Sequence, residues 1–144
     1  MRTVQKIRQE LVSIAPDIFG QTPVLFSYLF GSYAKDLVHP FSDIDIGVYI
    51  VDSHHRRTLD LEMSLALEID EKLAGGISTD VQVINHLPLV IAGEIVTDGI
   101  LIYSRDEIAR VDYETAIRSE YFDFLPVIQA YHSAYLNRIR NSER

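Results

Sequence analysis

The chain has 144 residues, of which 47% are hydrophobic and 24% charged, as expected for one globular domain. The absence of cysteine excludes disulfides and thiolate metal sites, and no apolar run approaches the roughly 18 residues that a membrane-spanning helix needs. The net charge is −8, and residues 36–98 hold 12 acidic residues against three basic ones, which disfavours direct binding of polyanionic RNA or DNA. We therefore expect a cytoplasmic protein of one domain, residues 1–144, with no membrane segment and no direct nucleic-acid partner.

The first half of the chain predicts a helix, two strands and a further helix. Pro16 should end a first helix, which is indicated by apolar residues at helical spacing: Val4, Ile7, Leu11 and Ile14. Residues 24–30, rich in β-branched and aromatic side chains, predict a buried strand, and residues 33–38 a short helix. Residues 43–51 alternate between polar and apolar and predict a half-buried strand. The next helix should bury one side, formed by Leu59, Met63, Ala66, Ile69 and Leu73.

The second half predicts a strand over residues 79–85, a helix over 88–96 and a short strand over 100–103. From about residue 106 to residue 144 the pattern is helical, and Pro126 should divide this tail because an interior proline removes a helix hydrogen bond. The sum is an α/β fold, with a small mixed β-sheet, helices packed on one side and a C-terminal helical tail.

Residues 31–45 contain the most informative pattern for function. Gly31 and Ser32 lie at a strand-to-helix junction, where the backbone and the first helical N–H groups can approach phosphate oxygens. Asp43 and Asp45 are two residues apart on a strand, so both carboxylates should project from one face, with Cα atoms roughly 6.6 Å apart. That spacing suits two Mg²⁺ ions about 3.5–4 Å apart. Either feature alone is weak, because most Gly-Ser pairs are turns and most isolated Asp-x-Asp pairs are solvated acids.

Asp80 is a third acidic residue with the same orientation. It opens a later strand and points away from the core face, as Asp43 and Asp45 do. On an adjacent strand it would complete a cluster of three carboxylates, whose mutual repulsion makes a cation the natural occupant. On its own, an aspartate at a strand start is often only a turn former.

These residues together resemble a known signature. Gly31-Ser32, ten residues and then Asp43-x-Asp45, with a third aspartate on a later strand, is similar to the motif of the DNA polymerase β-like nucleotidyltransferase superfamily. The whole chain resembles its minimal nucleotidyltransferase (MNT) group, since residues 83–106 are similar to the stretch that closes the MNT domain. Residues 121–136 are similar to tails of MntA-type antitoxins, which pair with HEPN-domain RNase toxins.

The resemblance implies a polymerase β-like fold and a site for ATP and two Mg²⁺ ions. Gly31, Ser32 and Tyr33 would bind the nucleotide, Asp43 and Asp45 would ligate both metals, and Asp80 would join them and help to activate the acceptor hydroxyl. The family often has Arg-Gly where this chain has Lys35-Asp36. Lys35 lacks the two-pronged donor geometry of arginine, and Asp36 is expected to place an anion near the phosphates.

The expected function is that of an antitoxin which transfers AMP from ATP to a hydroxyl of a cognate HEPN RNase toxin, expected to be a tyrosine hydroxyl, within a hetero-oligomer. Two alternatives stay open: a nucleotidyltransferase for an aminoglycoside-like small molecule, which the acidic face would suit, and an antitoxin that acts by binding alone. The tail contains more aromatic residues than one helix face can bury, which indicates either a protein interface or a tail packed on its own sheet. These residues are Tyr113, Tyr121, Phe122, Phe124, Tyr131 and Tyr135.

Overall fold

The computed structural model describes residues 3–51, 58–73 and 75–142. In chain order its elements are α1 (Val4–Phe19), β1 (Val24–Phe30), α2 (Ser32–Lys35), β2 (Ile44–Ile50), α3 (Thr58–Leu73), β3 (Thr79–Val83), α4 (Leu89–Asp98), β4 (Ile100–Ser104) and α5 (Glu107–Ser142). None of the helices in these ranges is both long enough and apolar enough to cross a membrane.

The four strands form one mixed sheet in the order β3-β2-β1-β4. β1 is antiparallel to both β2 and β4, whereas β2 and β3 are parallel. Because parallel neighbours need a crossover connection, α3 links β2 to β3 across one face of the sheet. The predicted α/β class, with a small mixed sheet and a long helical C-terminal segment, is confirmed.

The main core lies between the sheet, α1 and α3. The alternating residues of β2 that were expected to face inward are each at most 1% exposed: Ile44, Ile46, Val48 and Ile50. They pack against the buried stripe of α1, which comprises Ile7, Leu11, Ala15, Ile18 and Phe19. The apolar side chains that recur at every second residue of β2 and at helical spacing in α1 therefore pack together in one layer.

The other face of the sheet carries a second, smaller core. α1 and α3 pack on one face, while α4 and the start of α5 pack on this second face around Phe26, Tyr28, Ile84 and Ile95, so the helices are not confined to one side of the sheet as the sequence predicted. The rings of Phe26 and Tyr49 stack at 4.6 Å there. Asp43 and Asp45 share this face with Tyr49 but stay accessible to solvent, so the second face is open at the end where β2 begins.

The two proline predictions were wrong. Pro16 lies inside α1 and Pro126 lies inside α5, and both helices continue through them. Each proline is exposed, and the carbonyl that loses its N–H donor belongs to Val12 or Phe122, which are 49% and 68% exposed. Both prolines therefore lie on solvent-facing sides of their helices, where a missing helix hydrogen bond costs less than in a buried position.

α3 buries a different side from the one predicted in its first half. Its buried stripe is Leu65, Ile69 and Leu73, whereas Leu59 and Met63 are 66% and 59% exposed. Because a helix turns about 100° per residue, Leu59 and Met63 fall on the flank of that stripe rather than in line with it. Two large apolar side chains consequently lie at the surface beside β3.

Candidate active site

Gly31 brings the backbone of the β1–α2 turn against a carboxylate of β2. Its φ of 72° and ψ of −151° belong to a region that is essentially restricted to glycine. A Cβ atom at this position would lie 2.2 Å from Oδ2 of Asp45. The sequence therefore needs glycine here for two reasons, the backbone conformation and the close approach of Asp45.

The single turn of α2 begins immediately after Gly31. The carbonyl of Gly31 accepts hydrogen bonds from the N–H groups of Ala34 and Lys35, at 3.1 and 3.2 Å. The N–H groups of Ser32 and Tyr33 precede these, and the first N–H groups of a helix have no acceptor within it, so they can bind an anion. The Tyr33 side chain is only 4% exposed and packs in the main core, so Tyr33 can offer a nucleotide its backbone N–H but not its ring.

The three predicted carboxylates come together at the start of β2 and β3. Asp45 and Asp80 are direct partners in the parallel register of these strands. Asp43 lies one residue before β2, after a turn in which Ser42 donates its N–H to the carbonyl of His39 at 2.9 Å. Burial raises the pKa of Asp45, and the negative charges of Asp80 and Asp43 raise it further. The three acidic groups therefore interact electrostatically.

The donor chemistry of this cluster fits a magnesium ion. Magnesium prefers carboxylate oxygens, and among the described residues no lysine or arginine forms an ion pair with Asp43, Asp45 or Asp80. In their observed positions, however, no three His, Asp or Glu side chains of residues 3–51, 58–73 and 75–142 are grouped closely enough to hold a metal ion. The strand register brings the carboxylates to one place, and a bound cation would have to draw their oxygens together.

Arg8 of α1 contacts α2 at two points, and this contact was not anticipated from the sequence. Its Nε donates to the carbonyl of Tyr33 at 2.8 Å, and its Nη2 forms an ion pair with Asp36 at 2.8 Å. Asp36 lies at the C-terminal end of α2, in a left-handed conformation, and Arg8 balances its charge. That Asp36 opposes the phosphates stays a prediction, and Arg8 offsets part of its charge. Nothing in the spacing of α1 signals that Arg8 meets α2.

Lys35 lies beside the glycine turn with a small cavity next to it. Its Nζ is 3.7 Å from Oδ2 of Asp98, and both side chains are more than 40% exposed, so the ion pair is weak and Lys35 can leave it. Lys35, Phe30, Gly31 and Glu94 line a cavity of about 230 Å³ between α2 and α4. A positively charged side chain therefore lines the cavity next to the turn.

Known structures share this fold over nearly the whole chain. A solved structure of a tri-AMPylated Shewanella oneidensis HEPN toxin in complex with MNT antitoxin matches with a TM-score of 0.58 and 21% identity, covering 96% of this chain and 99% of the other. A toxin–antitoxin structure with AMP-PNP matches at 0.56 and 21%, covering 92% and 98%. A MntA-HepT toxin–antitoxin structure matches at 0.54 and 21%, covering 94% and 98%. The fold is therefore similar to that of MNT antitoxins, while curated proteins provide no match.

A match to a family model identifies the family of this chain. The model described as polymerase beta, nucleotidyltransferase matches residues 14–108. This range contains the glycine turn, the three carboxylates and all four strands. The chain belongs to the polymerase β nucleotidyltransferase family.

Proposed function

We propose that this protein is an antitoxin that transfers AMP from ATP to a hydroxyl group, that of a tyrosine, on a cognate HEPN RNase toxin. In this proposal residues 1–144 form one nucleotidyltransferase domain, residues from about 106 onward bind the toxin in a hetero-oligomer, and the protein works in the cytoplasm. The observation that carries the proposal is the position of Asp45. This residue contacts the Gly31 turn on one side and is paired with Asp80 on the other.

The glycine turn is the proposed site of the triphosphate. The N–H groups of Ser32 and Tyr33, with the Ser32 hydroxyl, bind phosphate oxygens. Lys35 adds a positive charge once it leaves Asp98. Arg8 keeps α2 in place, because it bonds the Tyr33 carbonyl and Asp36 at the far end of the helix.

Asp43, Asp45 and Asp80 are the proposed ligands of two Mg²⁺ ions. When bound, the ions neutralise charge on the phosphates and orient the attacking and leaving oxygens of an in-line displacement. Burial raises the pKa of Asp45, and repulsion from Asp80 and Asp43 raises it further; bound cations would relieve that repulsion.

The proposed reaction exchanges one bond to phosphorus for another. The acceptor oxygen forms a bond to the α-phosphorus of ATP, the bond between that phosphorus and the bridging oxygen to the β-phosphate breaks, and pyrophosphate leaves. In this proposal Asp80, which is exposed to solvent and paired with Asp45 in the strand register, accepts the hydroxyl proton.

A protein acceptor is favoured over a small molecule by the C-terminal half of α5. Beyond Tyr121 this helix exposes Phe122, Tyr131 and Tyr135 by 68%, 73% and 55%. Exposed aromatic side chains of this number on one helix indicate a protein interface. The structures of similar fold are toxin–antitoxin complexes, which agrees with this reading.

The decisive experiment is a transfer assay with ATP labelled in its α-phosphate, Mg²⁺ and a co-expressed HEPN-type partner. The wild-type chain should label the partner, whereas the Asp45→Asn variant, or excess EDTA, should abolish labelling. Asp45→Asn should not lower the thermal unfolding midpoint, since the raised pKa of Asp45 means that its charge opposes folding. Undiminished labelling by Asp45→Asn would reject this mechanism. If the RNase activity of the partner is inhibited although the partner is not labelled, the result would instead favour an antitoxin that acts by binding alone.

A further inference from the structure

β3 is an edge strand of the sheet. It is the outermost strand of the sheet, and the N–H of Ile84 bonds the carbonyl of Val48 in β2. Because hydrogen-bonding directions alternate along a strand, the backbone groups of Thr79, Val81 and Val83 point away from the sheet. Of these, the Val83 N–H donates to Oε2 of Glu62 at 2.8 Å. Within residues 3–51, 58–73 and 75–142 no further strand lies beside Thr79 and Val81, which are 9% and 5% exposed, so this edge can serve as a template for pairing with another strand.

A cavity of about 420 Å³ lies along this open edge. The α3 side of the cavity consists of Leu59, Glu62, Met63 and Ala66, and the β3 side of Thr79, Asp80, Val81 and Gln82. Thr79 is only 9% exposed, and among the described residues its Oγ1 has no hydrogen-bond partner. The cavity combines apolar side chains of α3 with the polar side chains of Glu62, Asp80 and Gln82, which suits a ligand that carries both kinds of group.

The geometry of the proposed transfer places the acceptor on the same side. In an in-line displacement the attacking and leaving oxygens lie on opposite sides of the α-phosphorus. The glycine turn, the proposed phosphate site, is on the β1 side of Asp45, while Asp80 is on the β3 side. The acceptor should therefore approach over β3, where the open edge and the cavity lie.

We propose that the acceptor polypeptide binds as an additional extended strand along the edge of β3. Successive side chains of a strand point to opposite faces, so one apolar side chain enters the cavity between Leu59 and Met63. The neighbouring residue then points to the opposite face, where Asp80 is, and presents its hydroxyl. This inference rests on the proposed function, because it names how the acceptor of that reaction is recognised.

The lining of the cavity selects this kind of acceptor. Leu59, Met63 and Ala66 present apolar surface, which suits an aliphatic or aromatic side chain better than a polycationic sugar. Asp80 and Gln82 line the β3 side of the same cavity, and Oε2 of Glu62 already accepts from the Val83 N–H. A hydroxyl-bearing peptide segment with an apolar neighbour therefore matches the edge better than an aminoglycoside does.

A kinetic comparison tests the cavity. Leu59→Asp and Met63→Asp should each raise the KM for the co-expressed partner by about tenfold or more, with the KM for ATP unchanged. Leu67→Asp is the matched control, because Leu67 is 68% exposed on the same helix and does not line the cavity. Both positions under test are exposed, so thermal unfolding midpoints should be equal in the three variants. Wild-type kinetics in both cavity variants, or an equal defect in Leu67→Asp, would overturn the inference.

Hydrogen exchange tests the strand pairing and does not need the transfer reaction. In the wild-type complex with the partner, the amides of Thr79 and Val81 should exchange more slowly than in the free chain. Unchanged exchange at both amides, in a complex that labels its partner, refutes strand addition and leaves the proposed function intact. A wild-type complex that protects these amides but never transfers AMP refutes the proposed function and retains the edge as a binding surface.

Discussion

Asp45 connects the two halves of the proposed site at the scale of single residues. Its carboxylate fills the space where any residue other than glycine at position 31 would place its Cβ. Its strand position pairs it with Asp80, so a change in the β2–β3 register would separate the two carboxylates. The position of Asp45 is therefore restricted from two sides. The Gly31 turn limits the space of its carboxylate, and the strand register makes Asp80 its neighbour.

We expect Gly31→Ala to abolish nucleotide transfer and to lower the free energy of unfolding by about 1–3 kcal/mol. The new methyl group would overlap Oδ2 of Asp45 and push the carboxylate away from its neighbours. Gly76→Ala is the control, because Gly76 also has a φ of 72° but none of the described residues has an atom within 4 Å of its Cβ position. Chemical denaturation and the transfer assay measure both effects. Full activity in Gly31→Ala would show that the contact with Asp45 does not matter.

The roles of Asp80 and Ser32 can be separated by binding measurements. If Asp80 mainly activates the acceptor, Asp80→Asn should still bind Mg-ATP in calorimetry but should lose transfer. Ser32→Ala should bind Mg-ATP more weakly, because Ser32 contributes a hydroxyl to the phosphate site. Loss of nucleotide binding in Asp80→Asn together with normal binding in Ser32→Ala would reverse the two assignments.

At the scale of elements, α5 divides into a packed and an exposed part. Near its start, Tyr28 donates from its hydroxyl to Glu114, and Tyr113 contacts the stacked rings of Phe26 and Tyr49. Tyr121 packs directly against Gly93 of α4. Beyond it the exposed aromatic side chains border cavities of about 390 and 260 Å³, lined mainly by Phe124, Val127, Ile128, Tyr131, His132, Tyr135 and Leu136. The first part of α5 belongs to the core, and the second is the proposed interface.

Tyr131→Asp and Tyr135→Asp should each reduce co-purification with the partner, and Mg-ATP binding should be unchanged. A charge at a buried aromatic position of an interface removes apolar burial and adds a desolvation cost. Ile108→Asp is the control, because Ile108 is 77% exposed on the same helix but lies before the proposed interface. Point variants are preferable to truncation after Glu120, which would also remove the contact between Tyr121 and Gly93. Normal co-purification of both tyrosine variants would place the interface elsewhere.

At the scale of the whole molecule, charge limits which partners can bind. The net charge of −8 is concentrated in residues 36–98, which include all three carboxylates of the proposed site. Binding to RNA requires a positive surface that releases counterions. The chain by itself should therefore cause no change in the fluorescence anisotropy of a labelled RNA of about 20 nucleotides at about 0.15 M salt. Tight binding by the free chain would contradict this, whereas binding only by the complex would assign the positive charge to the partner.

Local patterns of the sequence determined the elements and the candidate residues. The alternation in β2 identified its core face, and the period of α1 identified the helix, because burial on one face leaves a regular trace in the chain. The Gly-Ser and Asp-x-Asp motifs with Asp80 identified the residues of the proposed site. The same reasoning failed at Pro16 and Pro126, because whether a proline breaks a helix depends on the solvent exposure of the carbonyl that it frees.

Contacts between distant segments were decided only by the tertiary structure. The pairing of Asp45 with Asp80, the ion pair of Arg8 with Asp36 and the exposure of Leu59 and Met63 each join or separate residues that no local period relates. Strand register and helix rotation depend on how all apolar faces fit together at once. The sequence by itself determined which residues can carry the chemistry, and the packing of the sheet and helices decided which of them meet.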